Sequence, residues 1–177
     1  MPKNRLPSRA IAMRASALRM SALVGNVLDM ARLESGNVRI NRQWLPLEEV
    51  VGSALAASAD ALEGRTLQVR LPGDLPLLEV DAALIERVLV NLLENVGKYT
   101  PPGSPIEIEA QAEPSVVRLW VDDHGPGLPA GDAARLFEPF SRGERESAIT
   151  GVGLGLAICR AIADAHQARL EAANAAD

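Results

Sequence analysis

The chain has 177 residues, a formal net charge of −5 and a hydrophobic fraction of 47%. This composition predicts a folded domain with an apolar core and excludes a disordered chain, while the acidic balance argues against direct nucleic-acid binding. The single cysteine, Cys159, excludes a disulfide within the chain. It favours a reducing cytosolic setting, with the thiol as a small core group.

No stretch of the sequence approaches the ~18 consecutive apolar residues of a membrane-spanning helix. The basic start of the sequence, MPKNRLPSRA, is not followed by the apolar segment of a signal peptide. We therefore expect a soluble piece, and any membrane part would belong to regions of a longer parent protein outside this chain.

One long helix is predicted from about Ala10 to Glu34, ended by Ser35-Gly36-Asn37. Its apolar residues recur every three or four positions, a heptad-like seam suited to a helical hairpin or bundle. An amphipathic helix lying on its own domain is the alternative. The seam consists of Met13, Ala17, Met20, Val24, Val27 and Ala31.

Residues 38–177 are predicted to form one mixed α/β domain. Pro46 marks the start of a helix over residues 47–62, and Asp81 can cap a helix over residues 82–99. The other segments, in chain order, are predicted strands at 66–71 and 77–80, a β-hairpin of 105–112 and 115–121, a short helix at 132–140, a glycine-led helix at 151–166 and a last strand at 168–173. Because regular βαβ alternation is absent, we expect an α+β fold, a two-layer sandwich with helices on one face of a mixed sheet.

The predicted helix at 82–99 carries two asparagines and a lysine on one side. At about 100° per residue, Asn95 lies about 40° from Asn91, and Lys98 lies about 20° to the other side. Amide oxygens suit Mg²⁺, which keeps waters and substrate phosphates in its shell, and a lysine supplies a point charge for those phosphates. A merely solvated helix face is the alternative.

Two glycine motifs lie further along the chain. DHGPG, which starts at Asp123, supplies Gly125 and Gly127 just after a strand, where backbone can approach a ligand and the aspartate can accept a hydrogen bond from an exocyclic amine. GVGLGL, residues 151–156, places glycines at the start of a helix, whose free N–H groups and positive end suit a phosphate. Each motif alone is compatible with turn chemistry or close packing, and their order and spacing together favour a nucleotide site.

Four segments in this order resemble the N, G1, F and G2 boxes of sensor histidine kinases: NLLENVGKYT, DDHGPGLP, FEPFSRG and GVGLGLAI. The resemblance covers about residues 10–173. It looks closest to the C-terminal region of the Kdp-type potassium-responsive sensor kinases, through LDMARLESG, WLPLEEVVGSAL, RGERESA and GVGLGLAICRAI. It implies the two-layer α/β sandwich of the histidine kinase, Hsp90 and gyrase ATPases, preceded by one long helix of a dimerisation hairpin.

The resemblance implies a site for ATP and Mg²⁺. Asn95 matches the metal-binding asparagine, supported by Asn91, and Lys98 matches a phosphate-contacting lysine. Asp123 matches the acceptor of the adenine amino group. The other implied ATP-binding residues are Tyr99 beside the adenine, Gly125 and Gly127 on the adenine wall, Phe140 of an aromatic box that includes Phe137, Arg142 near a phosphate, and Gly151, Gly153, Leu154, Gly155 and Leu156 after a short lid at residues 141–150. No catalytic residue is assigned with certainty, and Asn91, Lys98 and Arg142 are candidates for positioning phosphate.

The sequence departs from the family pattern at several positions. The phosphoacceptor motif, a histidine followed by an acidic residue and then a proline, is missing, because the only histidines are His124 and His166. The glycine pair usual after His166 is also missing, and we expect the family's final strand to be absent. We therefore divide the chain into residues 1–37, the second helix of a dimerisation hairpin without its acceptor histidine, and residues 38–177, the ATP-binding domain.

The resemblance implies a fragment of a protein-histidine kinase that transfers the γ-phosphoryl group of ATP to a histidine on a helix outside this chain. It also implies a homodimer through the N-terminal helix, a response regulator as partner, and a cytoplasmic position within an inner-membrane sensor of potassium or osmotic conditions. Two alternatives remain. One is a non-catalytic nucleotide-binding or dimerisation module, and the other is an ATPase or serine kinase of the same superfamily.

Overall fold

The computed structural model of the chain describes Met13, Met20, Val24, Gly25 and residues 40–128, 133–141 and 153–175. The chain divides into two units, Met1–Val38 and Arg39–Asp177. In the first unit the four described residues are helical, and the side chains of Met13, Met20 and Val24 are exposed. The rest of the predicted seam and the predicted helix end at residues 35–37 lie outside the described residues.

Among the described residues of the second unit, five strands form two sheets. Strands β1 (Gln43–Leu45) and β3 (Leu78–Val80) pair antiparallel in a two-stranded sheet. The larger sheet has the order β2-β4-β5 and consists of β2 (Leu67–Arg70), β4 (Ile106–Ala112) and β5 (Val117–Asp123). Strands β2 and β4 run parallel, whereas β4 and β5 form the predicted antiparallel hairpin. The predicted mixed sheet is therefore confirmed.

In the same described part of the chain, three α-helices accompany the sheets: α1 (Leu47–Ala57), α2 (Ala82–Tyr99) and α3 (Gly155–Ala165). A short 3-10 helix spans Ala133–Phe137. Asp81 caps α2 as predicted, because its Oδ1 accepts a hydrogen bond from the Leu84 amide at 3.2 Å. Within the described part of the chain, none of the helices has the length and apolar character needed to cross a bilayer.

The core lies between one face of the β2-β4-β5 sheet and helices α1 and α2. Strand β4 alternates, so that Ile106, Ile108 and Ala110 are buried while Glu107 and Glu109 lie on the opposite face. The buried side of β4 joins residues of α1 and α2 in one apolar cluster, which includes Val50, Val51, Ala54, Leu89 and Leu93. Each fully buried aliphatic side chain of this kind stabilises the fold by about 1.5–3 kcal/mol. The predicted α+β sandwich is confirmed.

Three details of the predicted elements differ from the structure. Helix α1 ends at Ala57 rather than at residue 62, and residues 58–64 form turns. Strand β1 was not predicted, because three residues before a proline are too short for a readable alternation. The predicted last strand at 168–173 is wrong: residues 168–175 form no strand. In that segment the Asn174 side chain, rather than a ladder of backbone groups, bonds to the backbone of Leu128.

The end of α3 and the start of α2 are joined by side chains. His166 Nε2 accepts a hydrogen bond from the Asp81 amide at 3.1 Å, so the ring proton lies on Nδ1, which donates to the Ile162 carbonyl at 2.8 Å. Asp81 Oδ2 in turn accepts from the Asn41 amide at 2.9 Å, and the Arg42 guanidinium donates to the Ala165 carbonyl at 3.2 Å. The segment that enters the domain is thus fixed to both helices.

Helix α3 ends in a Schellman motif with an unusual residue at its centre. The Ala168 amide bonds to the Ala163 carbonyl at 2.8 Å, and the Gln167 amide bonds to the Asp164 carbonyl at 3.0 Å. Gln167 adopts a φ of 58°, the left-handed conformation in which glycine has no Cβ penalty. Gln167 therefore occupies a backbone conformation that favours glycine. It lies directly after His166, where the resembled family usually has a glycine pair.

We predict that Gln167→Gly stabilises the domain. Removing the Cβ should raise the free energy of unfolding by about 1 kcal/mol and the thermal midpoint by about 3 °C. Gln167→Ala is the matched control, because alanine keeps the Cβ and the strain. Thermal unfolding followed by circular dichroism measures both variants, and a lower midpoint for the glycine variant would contradict the prediction.

Candidate functional site

The polar side of helix α2 is less exposed than a solvated helix face. Asn91 and Asn95 are half-buried, and only Lys98 among the three predicted residues is exposed. The apolar side of the same helix is buried through residues such as Leu89 and Leu93. The helix therefore holds two amides partly withdrawn from water, next to one accessible ammonium.

Asn91 lies against the first turn of α3. A Cβ added at Gly155 would stand 3.4 Å from Asn91 Oδ1, so the Asn91 side chain lies next to the Gly155 backbone. Asn91 Nδ2 is buried and finds no hydrogen-bond partner of normal geometry within the described residues. A buried amide donor without a partner is costly. This arrangement argues against the solvated-face alternative for Asn91 and leaves its amide available to a ligand.

Cys159 is the other polar neighbour of this contact, one turn into α3. Its side chain is fully buried, and its Sγ donates to the Val88 carbonyl at 3.7 Å. Burial raises the pKa of the Cys159 thiol to about 12, and the neighbouring Asn91 amide and the Arg87 charge oppose that shift only in part. The thiol is therefore uncharged and unreactive at neutral pH, as the prediction of a small core residue requires.

Lys98 is paired with the preceding turn of its own helix. Its Nζ lies 2.8 Å from Glu94 Oε2, in an i, i+4 pair whose side chains are 40% and 46% exposed. An exposed pair of this kind contributes little to stability and is easily exchanged for another anion. Glu94 thus holds the Lys98 ammonium close to the polar side of α2, in a pair that another anion can replace.

The C-terminal turn of α2 lies beside the first glycine loop. A Cβ added at Gly125 would stand 3.1 Å from Thr100 Cγ2 and 3.7 Å from the Tyr99 carbonyl oxygen. Asp123 Oδ1 accepts a hydrogen bond from the Gly125 amide at 2.8 Å, which orients the exposed carboxylate. Three predicted residues, Tyr99, Asp123 and Gly125, are therefore neighbours in space.

The second half of the same loop is held by a residue near the end of the described chain. Asn174 Oδ1 accepts from the Leu128 amide at 2.6 Å, and its Nδ2 donates to the Leu128 carbonyl at 3.5 Å. Gly127, with a φ of 75°, would place a Cβ only 3.0 Å from the Asn174 oxygen. Only glycine fits there without displacing this contact.

The predicted aromatic box is divided between the core and the surface. Phe137 is buried, and the Arg160 guanidinium of α3 lies 4.5 Å from the centre of its ring, in a cation–π contact. Phe140 is exposed, and its amide donates to the Gly153 carbonyl at 2.9 Å. A Cβ at Gly153, whose φ is 72°, would stand 2.9 Å from the Ser141 carbonyl oxygen. The two sides of the predicted lid segment therefore meet at this glycine.

Helix α3 begins without a side-chain cap. Leu154 occupies the N-cap position, is buried and cannot accept a hydrogen bond from the first turn. Leu156 is half-buried in that turn. The first turn of α3, which lies next to Asn91, therefore keeps its positive end without a capping side chain. Arg142 and Gly151 lie outside the described residues, as does the lid beyond Ser141.

Three residues of this region were missed in the sequence: Arg65, which contacts the end of α2, Arg160 and Asn174. Arg160 occurs one helical turn after Leu156, but no motif signals its contact with Phe137. Arg65 and Asn174 are separated by more than thirty residues from their partners. No local pattern marks contacts of that range.

Comparison with known proteins gives consistent results. Residues 80–176 match the model of the histidine kinase-, DNA gyrase B- and HSP90-like ATPases. The chain is 48% identical over 166 residues to the sensor protein KdpD of Escherichia coli strain K12, covering 94% of this chain and 18% of that protein. Full-length ShkA, solved in complex with AMPPNP, is similar with a TM-score of 0.79 and 26% identity, covering 93% of this chain and 35% of that one. Acinetobacter baumannii histidine kinase AdeS has a TM-score of 0.72 at 24% identity, covering 93% and 76% of the two chains.

The chain spans under a fifth of the length of the curated KdpD proteins that it matches, 18% and 17%. The similarity therefore concerns the region described above and leaves most of those proteins without a counterpart in this chain.

We predict that Asn91→Leu stabilises the folded domain. Leucine has a similar shape and removes the buried donor without a partner, so the free energy of unfolding should rise by about 1 kcal/mol. Asn95→Leu is the control, because no buried orphan atom is found at Asn95. Urea unfolding measures both variants. A destabilised Asn91→Leu variant would show that the amide has a partner in the folded state.

Proposed function

Because this chain belongs to the family of histidine kinase-, DNA gyrase B- and HSP90-like ATPases, we propose that it binds Mg-ATP and supplies its γ-phosphoryl group to a histidine on a separate dimerisation helix. The observation that carries the proposal is the contact between the Asn91 amide and the uncapped start of α3 at Gly155. The half-buried Asn91 amide and the positive end of a helix are therefore neighbours, which suits a polyphosphate that shares a cation with the amide oxygen.

The phosphates would lie between α2 and α3. The amides of the first α3 turn would donate to phosphate oxygens, and Lys98 would exchange Glu94 for them. Arg142 and Gly151 are proposed to approach the same phosphates. The exchange would replace the exposed Lys98–Glu94 pair by a Lys98–phosphate pair. It would favour binding because the phosphates carry more negative charge than one carboxylate.

The residues present fit a magnesium ion held jointly with phosphates. No group of three or more His, Cys, Asp or Glu side chains suited to a metal occurs among residues 40–128, 133–141 and 153–175. The protein ligands would instead be the amide oxygens of Asn95 and Asn91, which are neutral and hard, as a site shared with phosphates and waters requires. When bound, the ion neutralises charge on the transferring phosphoryl group.

The adenine would lie against the C-terminal turn of α2 and the first glycine loop. Asp123 Oδ1 accepts a hydrogen bond from the Gly125 amide, which would orient the carboxylate to accept another from an exocyclic amine. Tyr99 would stand beside the base, and Gly127 would let the loop backbone approach it.

Phosphoryl transfer requires positioning and charge stabilisation rather than a strong base on the donor side. Asn91 occupies the side of α2 nearest the start of α3, and its amide has no useful basicity for activating a water. Glu94, the nearest carboxylate along the helix, lies about 60° around the helix from Asn91, on the side away from Asn95. This composition of the site favours transfer to an added acceptor over hydrolysis.

The similarity to KdpD sensor proteins supports the same role for a longer parent protein. We propose a two-component sensor kinase of potassium or osmotic regulation, with a response regulator as its phosphoryl recipient. Residues 1–37 would be the second helix of a dimerisation hairpin, and the kinase region would be the cytoplasmic portion of an inner-membrane sensor.

We expect Asn95→Ala to lower the affinity for Mg-ATP at least about tenfold, because one metal-ligand contact and its orientation are lost. Isothermal titration calorimetry with Mg-ATP provides the measurement. Gln111→Ala, an exposed amide on β4 away from α2, is the matched control. Equal affinities for Asn95→Ala and the unmodified chain would remove the proposed site.

The fate of the γ-phosphoryl group separates the kinase from an ATPase. We expect no phosphohistidine on this chain alone, but label transferred to an added acceptor-helix fragment of the parent protein, with phosphate release far below the ~10 per second typical of enzymes. Labelled ATP with acid-labile, base-stable product detection tests both. Rapid phosphate release that Asn95→Ala abolishes would place the chain on the ATPase branch instead.

A further inference from the structure

Arg65 forms an unusual contact at the end of helix α2. Its Nη2 donates to the carbonyls of Gly97 and Thr100, both at 3.1 Å, and its Nη1 donates to the Pro101 carbonyl at 3.0 Å and to the Thr100 hydroxyl. The last carbonyls of a helix have no partner within the helix. One guanidinium from a distant turn satisfies three backbone carbonyls and places a positive charge at the negative helix end.

The same turn of α2 contacts the first glycine loop on its other side. Thr100 is only 7% exposed, and its hydroxyl faces Arg65 while also donating to the Val96 carbonyl at 2.7 Å. Its methyl carbon faces Gly125, at 3.1 Å from where a Cβ would stand. Thr100 therefore contacts Arg65 through its hydroxyl and the first glycine loop through its methyl group.

The end of α2 also packs closely against the turn that precedes Arg65. A Cβ at Gly97 would stand 2.7 Å from the Ala61 carbonyl oxygen, so the helix backbone already lies close to the turn that carries Arg65. Close backbone contact on one side and Thr100 against Gly125 on the other confine the end of α2. The planar guanidinium suits this place because its fork reaches several carbonyls at once, which a lysine ammonium cannot do from one position.

We infer that Arg65 is a positioning residue for the adenine end of the nucleotide site. It holds the Tyr99–Thr100 turn against Gly125, and the Gly125 amide in turn orients Asp123. This inference rests on the proposed function, because it concerns recognition of the base by that same site. Arg65 makes no contact with the nucleotide in this scheme.

A positioning role differs measurably from a role in stability alone. If Arg65 sets the adenine wall, its loss weakens binding of a nucleotide and leaves binding of the phosphates by Asn95, Lys98 and α3 intact. If it only stabilises the fold, the folded fraction binds both kinds of ligand as before.

The test compares the full chain with Arg65→Met and Arg65→Lys, using calorimetry with Mg-ADP and with Mg-tripolyphosphate below the thermal midpoint of each variant. We expect Arg65→Met to lose about tenfold in affinity for Mg-ADP and less than about twofold for Mg-tripolyphosphate, and Arg65→Lys to recover part of the loss. Unchanged Mg-ADP affinity, or equal losses for both ligands, would overturn the inference.

Two substitutions at Thr100 test the same link if Arg65→Met does not fold. Thr100→Ser keeps the hydroxyl for Arg65 but removes the methyl carbon that faces Gly125, so it should lower Mg-ADP affinity selectively. A Thr100→Ser variant with full Mg-ADP affinity would overturn the inference. An unmodified chain that binds no Mg-ADP would instead overturn the proposed function, and this inference with it.

Discussion

Helix α2 can present polar groups to a ligand only because both of its ends are fixed by distant parts of the chain. At the start, Asp81 caps the helix and is itself held by His166. At the end, Arg65 binds the final carbonyls. Between these two points the apolar side packs on the sheet. A helix anchored at both ends keeps its rotation and its position along its axis, so the amides and the ammonium project from a fixed backbone.

One residue of this helix lowers the stability of the domain. Asn91 buries an amide donor that finds no hydrogen-bond partner of normal geometry among the described residues. Groups that would be satisfied by a ligand are costly without it. By contrast, the strain at Gln167 lies at the far end of α3, away from Asn91, and nothing in the described contacts relates it to ligand binding.

Charge is arranged so that the site is attractive to anions without being strongly positive. The chain has an excess of acidic residues, yet the polar side of α2 carries Lys98, and the start of α3 adds the positive end of a helix. The Lys98 ammonium is paired with the Glu94 carboxylate. Because that pair is exposed, replacing Glu94 by a multiply charged phosphate requires little energy. The proposed adenine end of the site is the place where Thr100, Gly125 and Asp123 meet.

Features that depend on neighbours in sequence were determined by the sequence itself. The bounds of α2, its Asp81 cap, the β4–β5 hairpin and the order of the glycine motifs were all predicted, and the family match over residues 80–176 confirms the resemblance drawn from those motifs. Capping, alternation and turn chemistry act within a few residues, so they are visible in a linear chain. The tertiary structure alone decided that the half-buried Asn91 lies against Gly155, that Arg65 binds the end of α2 and that the Asn174 side chain, instead of a strand, bonds to Leu128. These contacts join residues far apart in sequence, and their energies depend on burial and geometry that exist only once the chain has folded.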